Sequence, residues 1–217
     1  MEIVRYTELK NTKRHNLAEV IPLAKPYTLL IEPSSSCNFR CRMCFQSAAQ
    51  EKFKDKRQTM DMALFRRIIE QAKAWGGERF KVLKLCIYGE PFTNPHFAEM
   101  LQMAHAAAIA DRIETTSNAS LLTEEICRGL VRGGLDYLRV SIYSAIPQKH
   151  LEITDSNVPM QRVHDNLHML QRVKREMGSE RPFIACKMLN TFDEEENQIF
   201  RDAYADVADE IYIDEPH

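Results

Sequence analysis

Six strand-like segments alternate with helix-like segments along this 217-residue chain. The strand-like segments, such as YTLLIE and YLRVSIYS, are short and rich in aliphatic and β-branched residues. The helix-like segments, such as MDMALFRRIIEQAKAW, carry apolar residues at helical spacing. The predicted strands are 27–32, 81–89, 112–118, 137–144, 183–190 and 210–216. Because this alternation requires crossover connections, we predict an α/β fold, a partial (β/α)6 TIM-like barrel of parallel strands with outer helices.

Capping residues predict where several helices begin and end. Thr123 is predicted to cap one helix, and Asn94, followed by a proline, is predicted to cap another. The pair Gly76-Gly77 is predicted to end the helix before the second strand. The buried face of that helix is predicted to consist of Leu64, Phe65, Ile68, Ile69 and Ala72.

Composition and charge narrow the possible partners and locations. The formal net charge is -2, so no face is expected to bind nucleic acid or an anionic membrane. The chain has no apolar run long enough to span a bilayer and no signal-peptide core at its start, which predicts a cytoplasmic protein. We expect residues 1–26 to form an N-terminal extension and residues 27–217 a core barrel. The last strand lacks a covering helix, so we expect the core to continue into a C-terminal extension.

The segment CNFRCRMC places Cys37, Cys41 and Cys44 within eight residues. In a reducing compartment, clustered cysteines are more often metal ligands or catalytic groups than disulfides. Three thiolates on one loop can hold three irons of a [4Fe–4S] cluster and leave the fourth iron open. The other cysteines stand singly in apolar segments and are predicted to be core residues. They are Cys86, Cys127 and Cys186.

Two other kinds of metal site stay open for the cysteine loop. A structural zinc site needs four closed ligands, and the fourth would have to come from a remote residue such as His15 or His96. A closed iron–sulfur cluster could borrow Cys86 from the second strand, although the sequence places Cys86 below the edge of the sheet.

The remaining unusual polar residues follow the ends of other predicted strands. Gly89-Glu90 ends the second strand, Asn118 the third and Ser141 the fourth. The carboxyl ends of parallel strands lie at one edge of a sheet, where ligand sites form. These residues are therefore expected to meet the cysteine loop at that edge.

The Cys-x3-Cys-x2-Cys loop after the first strand, followed by GEP after the second, resembles the radical S-adenosylmethionine (SAM) superfamily. The resemblance extends from about residue 27 to 214. The segments YGEPFTNPHFAEML, TSNASLLTEE, LVRGGLDYLRVSI and VHDNLHML are similar to the branch with a C-terminal SPASM or twitch extension. The resemblance implies that Cys37, Cys41 and Cys44 bind a [4Fe–4S] cluster. Reductive cleavage of SAM at that cluster would yield a 5′-deoxyadenosyl radical that abstracts hydrogen from a substrate C–H.

The resemblance also implies roles in SAM binding for two segments. Gly89, Glu90 and Pro91 resemble the motif that binds the SAM amino group: glycine allows close approach, glutamate supplies an acceptor and proline fixes the turn. Where the family commonly has an aromatic residue beside adenine, this chain has Met43, whose thioether can pack on a purine face. Phe45 is predicted to share that role.

Further contacts are implied by position in the strands. Asn118 and Ser141 stand where the family places polar contacts to the ribose or carboxylate of SAM. Lys187 and Asn190, on the fifth strand, are predicted to contact SAM or substrate. No residue is predicted as catalytic.

The implied enzyme takes a peptide or a small polar metabolite as substrate. Its reaction would be peptide modification, or oxidation or epimerisation of a sugar or cyclitol, and its reductant a flavodoxin- or ferredoxin-type protein. Two alternatives stay open: a non-enzymatic iron–sulfur or zinc-binding scaffold, and an RNA-modifying radical SAM enzyme. The lack of a basic stripe argues against RNA.

Overall fold

A computed structural model describes residues 16–49, 52 and 56–215 of the chain. Its strands form one six-stranded sheet in the order β1 to β6, and every neighbouring pair is parallel. The strands are β1 Thr28–Leu30, β2 Phe80–Lys84, β3 Ala110–Ser117, β4 Tyr137–Ser141, β5 Phe183–Leu189 and β6 Glu210–Asp214. The predicted α/β fold with a partial parallel barrel is confirmed.

Helices connect the strands. They are α1 Leu17–Val20, α2 Phe45–Ala48, α3 Met62–Ala74, α4 Phe97–Ala107, α5 Glu124–Arg132, α6 Pro147–Thr154, α7 Met160–Glu176 and α8 Glu194–Tyr204, with a 3₁₀ turn at Pro91–Thr93. In the part of the chain that the structure describes, no helix combines the length and the apolarity that crossing a bilayer requires. The predicted N-terminal extension lies partly outside the described residues.

The two faces of the sheet differ in chemistry. One face packs against the helices, and its side chains, among them Leu83, Ile113 and Val140, belong to the main hydrophobic core. The residues that alternate with them point to the opposite face, which we call the inner face. That face carries Lys84, Glu114, Thr116, Arg139, Ser141, Lys187 and Asp214. The inner face is therefore the side on which polar chemistry collects.

The second strand ends earlier than the sequence predicts. It stops at Lys84; the N–H of Leu85 still donates to the carbonyl oxygen of Glu114 at 2.9 Å, and the chain then leaves the sheet. The N–H groups of Tyr88 and Gly89 donate to Glu32 Oε1 at 2.7 and 2.8 Å, instead of to a neighbouring strand. A side-chain acceptor on the loop after β1 thus sets the path of the turn that follows β2.

The predicted helix ends are partly right. Thr123 caps α5, accepting the N–H of Ile126 at 3.2 Å, as predicted. Asn94 does not cap α4, because α4 begins two residues after Pro95. Its buried amide instead donates to the carbonyl oxygens of Pro33 and Met60 at 2.8 and 3.0 Å. Asn94 therefore joins two loops at the start of the helix.

The buried face of α3 and one further helix also differ from expectation. Phe65, Ile69 and Ala72 are buried, whereas Leu64 is 45% exposed because it lies at the edge of the apolar stripe. The positive φ angles of Gly76 and Gly77 end the helical region as predicted. Helix α6 was not predicted, since its eight residues are too short for a clear periodic signal.

Candidate functional site

The three clustered cysteines line one cavity of about 290 Å³ at the carboxyl ends of the strands, which we call the main cavity. Cys37, Cys41 and Cys44 lie on the loop between β1 and α2. Helix α6 holds this loop, because the N–H groups of Arg40 and Arg42 donate to carbonyl oxygens in its last turn, both at 2.9 Å. The loop that follows β1 is therefore positioned by an element more than a hundred residues further along the chain.

Burial controls the protonation of two of these thiols. It raises the pKa of Cys37 to about 12, and that of Cys41 to about 11 despite a hydrogen bond from the Tyr143 hydroxyl that lowers it. Both thiols are consequently neutral near pH 7 when no cation is bound. A metal or cluster binds thiolates, so binding there must release protons.

The turn after β2 packs directly on the cysteine loop. Gly89 lines the main cavity, and a Cβ at this position would lie 2.0 Å from the carbonyl oxygen of Ser34. The next residue, Glu90, donates its N–H to the carbonyl oxygen of Ser36 at 2.8 Å. The absence of a side chain at Gly89 is thus what lets the two loops touch.

The Glu90 carboxylate is buried and lines the main cavity. Its Oε1 accepts the Ser117 hydroxyl at 2.7 Å and the Phe92 N–H at 3.2 Å, and its Oε2 accepts the Asn118 N–H at 2.8 Å. Burial raises the pKa of Glu90 to about 7, although these hydrogen bonds lower it. A carboxylate offers about four acceptor positions, and the described residues occupy three, so one position on Oε2 is left for a ligand in the cavity.

Asn118 also lines the main cavity, and most of its side chain is engaged. Its side-chain amide nitrogen donates to Asn38 Oδ1 at 3.0 Å, and its side-chain oxygen Oδ1 accepts the N–H and the hydroxyl of Ser120. Because Asn38 lies on the cysteine loop, this network ties the end of β3 to that loop. Within the part of the chain that the structure describes, one amide hydrogen of Asn118 remains for a ligand.

Ser141, Met43 and Lys187 meet at a side cavity of about 120 Å³. Ser141 and Met43 line the main cavity as well, and Met43 is 54% exposed. Lys187 forms an ion pair with Asp214 at 3.2 Å. The structure therefore places Ser141 and Met43 at the site and Lys187 beside it.

Besides Lys187, three of the predicted binding residues do not line the main cavity. Phe45 packs edge-on against Tyr88, with ring centroids 4.6 Å apart. Pro91 is buried in the first turn of the 3₁₀ segment. Asn190 donates to the carboxylate of Glu215 at 3.0 Å and lies beyond the end of β5. Their predicted contacts with a cofactor depend on side chains that already have other neighbours.

Several residues of the site were missed by the sequence analysis. Cys86 was expected below the edge of the sheet, but this buried thiol lines the main cavity, and its sulfur accepts the Thr116 N–H at 3.2 Å. Cys86 lies two residues beyond Lys84, the last residue of β2, and Lys84 lines the same cavity. Glu32, Asn38 and Tyr143 were also missed. Their roles depend on contacts between segments that are distant in sequence. Of the three, only Tyr143 carried a signal in the sequence, because it lies just beyond β4.

Comparison with known proteins identifies the family and several relatives of this chain. A family model described as the Radical SAM superfamily matches residues 31–181. The tungsten-containing aldehyde ferredoxin oxidoreductase cofactor-modifying protein of Pyrococcus furiosus is 28% identical over 166 residues, which cover 75% of this chain and 43% of that protein. GTP 3′,8-cyclase of Aquifex aeolicus is 24% identical over 144 residues, covering 66% of this chain and 43% of that protein.

A solved structure shares the fold. Streptococcus suis SuiB bound to precursor peptide SuiA has a TM-score of 0.68 and 19% sequence identity to this chain, covering 97% of this chain and 44% of SuiB. The chain thus spans less than half the length of each of these three relatives.

Proposed function

Because the chain belongs to the radical SAM superfamily, we propose that it acts as a radical SAM enzyme. Members of this superfamily use a [4Fe–4S] cluster and S-adenosylmethionine, which is cleaved reductively at the cluster so that a hydrogen atom can be removed from a substrate C–H. The observation that supports the proposal best is that three thiols of one loop and the Gly89-Glu90 turn line the same cavity.

The donor set fits such a cluster. Cys37, Cys41 and Cys44 come from one loop, and thiolates are the ligands that iron–sulfur clusters require. Cys86 lines the same cavity, but it lies on a different segment of the chain, at the end of β2. We therefore assign three protein ligands and leave the fourth iron to S-adenosylmethionine.

The chain's own residues supply binding and orientation. Glu90 offers its remaining acceptor position to the amino group of S-adenosylmethionine, and Gly89 allows the backbone to approach. Asn118 and Ser141 offer polar contacts to the ribose or carboxylate, and Met43 offers a thioether to the adenine face. Lys187 lines the side cavity together with Ser141 and Met43, where it can contact S-adenosylmethionine or the substrate.

The substrate proposed here is a peptide or a small polar metabolite. Support for a peptide comes from SuiB, which shares the fold and was solved with a precursor peptide. Support for a metabolite comes from the relative named GTP 3′,8-cyclase. The reaction would be peptide modification, or oxidation or epimerisation of a sugar or cyclitol, in a protein of the SPASM or twitch branch with a flavodoxin- or ferredoxin-type reductant. All six cysteines are free thiols, which suits a cytoplasmic location.

The proposal is tested by assaying 5′-deoxyadenosine. Protein reconstituted anaerobically with iron and sulfide, and then reduced with dithionite, is expected to form 5′-deoxyadenosine from S-adenosylmethionine. Cys41→Ala should lose both the cluster and this product because a ligand is missing. Cys86→Ala is the matched control, since it removes a thiol from the same cavity, and it should keep the cluster.

Three results would count against the proposal. A fully loaded parent protein that forms no 5′-deoxyadenosine would contradict the enzymatic function. Loss of the cluster in Cys86→Ala would indicate a closed four-cysteine cluster, and one zinc without labile sulfide would indicate a metal-binding scaffold.

A further inference from the structure

A second, smaller cavity adjoins the main cavity on the inner face of the sheet. Its volume is about 140 Å³, and its lining includes Arg112, Glu114 and Tyr137. Lys84, Thr116 and Arg139 line both cavities. A ligand in the main cavity can therefore place one of its groups in the second cavity.

Positive charge exceeds negative charge around the second cavity. Lys84, Arg112 and Arg139 are cationic, whereas Glu114 is the one carboxylate among the lining residues. The carboxylate of Glu114 forms ion pairs with two of these cations, with Arg112 Nη2 at 2.7 Å and with Lys84 Nζ at 3.7 Å. Within the described residues, the guanidinium of Arg139 has no carboxylate oxygen within 4.0 Å. Arg139 is thus a cation with no matching anion among the described residues.

The guanidinium of Arg139 has donors to spare. Its Nε donates to the Thr116 hydroxyl at 3.1 Å, which fixes the plane of the group. The two terminal nitrogens of an arginine fork can bind the two oxygens of a carboxylate or phosphate at once. No partner for these nitrogens is found among the residues that the structure describes.

Partial burial makes this excess of charge significant. The side chains of Lys84, Arg112 and Glu114 are only 23%, 15% and 16% exposed, and Arg139 is half-buried. Cations held away from water are costly unless an anion neutralises them. The second cavity is accordingly a favourable place for an anion.

We propose that Arg139, supported by Lys84, binds an anionic group of the substrate, a carboxylate or a phosphate, in the second cavity. This inference rests on the proposed function, because it assumes that the substrate occupies the inner face beside S-adenosylmethionine. Arg139 precedes Ser141 by two residues on β4, so both side chains point to the same face. An anion held at Arg139 leaves the rest of the substrate extending into the main cavity, toward the cysteine loop.

The test is an anion titration of the anaerobically reconstituted protein with S-adenosylmethionine present at low ionic strength. Inorganic phosphate and acetate are titrated separately by calorimetry. We expect saturable binding of one of them to the parent, at least about tenfold weaker binding to Arg139→Gln, and an intermediate affinity for Arg139→Lys. Whether phosphate or acetate binds more tightly identifies the substrate group.

Arg128→Gln is the matched control. Arg128 lies on the outer surface, paired with Glu124 and Glu176 at 2.8 and 2.6 Å, so its loss should leave anion affinity unchanged. Circular dichroism shows whether each variant is folded. If Arg139→Gln does not fold, the comparison of Arg139→Lys with the parent tests the inference.

Three results would overturn the inference. They are no saturable anion binding to the parent, unchanged binding to the Arg139 variants, and an equal loss of S-adenosylmethionine affinity in Arg139→Gln. The last would assign Arg139 to the carboxylate of S-adenosylmethionine instead of to the substrate. Formation of 5′-deoxyadenosine by the parent needs no added anion, so the proposed function and this inference can fail separately.

Discussion

Gly89 is the residue at which the cysteine loop and the turn after β2 touch. A Cβ there would lie 2.0 Å from the carbonyl oxygen of Ser34 and 2.7 Å from that of Ser36. Both contacts are with backbone atoms, which cannot rotate away as a flexible side chain can. The position requires glycine because of space, and any side chain would separate the two halves of the site.

We expect Gly89→Ala to destabilise the protein by about 3 kcal/mol, because the two loops must move apart to admit the methyl group. Urea denaturation measures this change. Gly76→Ala is the control: open space surrounds Gly76, so the added Cβ meets only the strain of a positive φ, about 1 kcal/mol. Equal effects in the two variants would contradict the close contact.

Glu90 should make stability depend on pH. Its pKa is about 7 in the folded protein, against an ordinary value of 4.5, so between these values the folded state binds more protons than the unfolded state. Stability therefore falls as pH rises through this window, by about 2 to 3 kcal/mol between pH 5 and pH 8.

Glu90→Gln removes this titration and should flatten the profile by that amount. The measurement is urea denaturation of the protein without cluster at pH 5 and pH 8, compared with the parent. A variant whose pH dependence matches the parent's would show that Glu90 is not the group responsible.

At this scale the sequence predicted the residues that resemble a known motif and missed those that support them. Cys37 and Glu90 follow strand ends within recognisable segments, so their position was predictable. Glu32, which holds the turn through two N–H groups, looks like an ordinary loop glutamate. Asn190 was predicted to reach the site, but its amide binds Glu215, a contact that strand alternation cannot reveal.

Short connecting elements position the site as much as the strands do. The last turn of α6 accepts two N–H groups from the cysteine loop, and Asn94 joins the loop after β1 to the segment before α3. Neither role follows from local propensity, since both depend on backbone groups far away in sequence. The parallel direction of the strands was predictable because it follows from the alternation itself, whereas these cross-connections were not.

Asn94→Ala is expected to destabilise the protein by about 3 kcal/mol. The substitution leaves the carbonyl oxygen of Met60 and the N–H of His96 without this partner. It also removes one of the two hydrogen bonds to the carbonyl oxygen of Pro33, which still accepts the Met60 N–H at 2.9 Å. Asn157→Ala, at an exposed asparagine, should change stability by less than about 0.5 kcal/mol. Urea denaturation measures the free energy of unfolding of both variants. A small change for Asn94→Ala would contradict the role of Asn94 in connecting the two loops.

At the scale of the whole molecule, one face of the sheet contributes to stability and the other carries the candidate site. The helix-covered face holds the main hydrophobic core, while the inner face carries the charged residues and the cavities. The sequence predicted the sheet because apolar residues recur in every strand. It did not reveal the charged inner face, since alternating polar residues such as Lys84 and Arg139 are also typical of strands exposed to solvent.

The most direct test of the account is the Mössbauer spectrum of protein reconstituted with isotopically enriched iron, recorded with and without S-adenosylmethionine. We predict a [4Fe–4S] cluster in which one iron changes its signal on addition of S-adenosylmethionine while the other three do not, because three thiolates hold three irons. A cluster with four unchanged irons would contradict the open site at Cys37, Cys41 and Cys44.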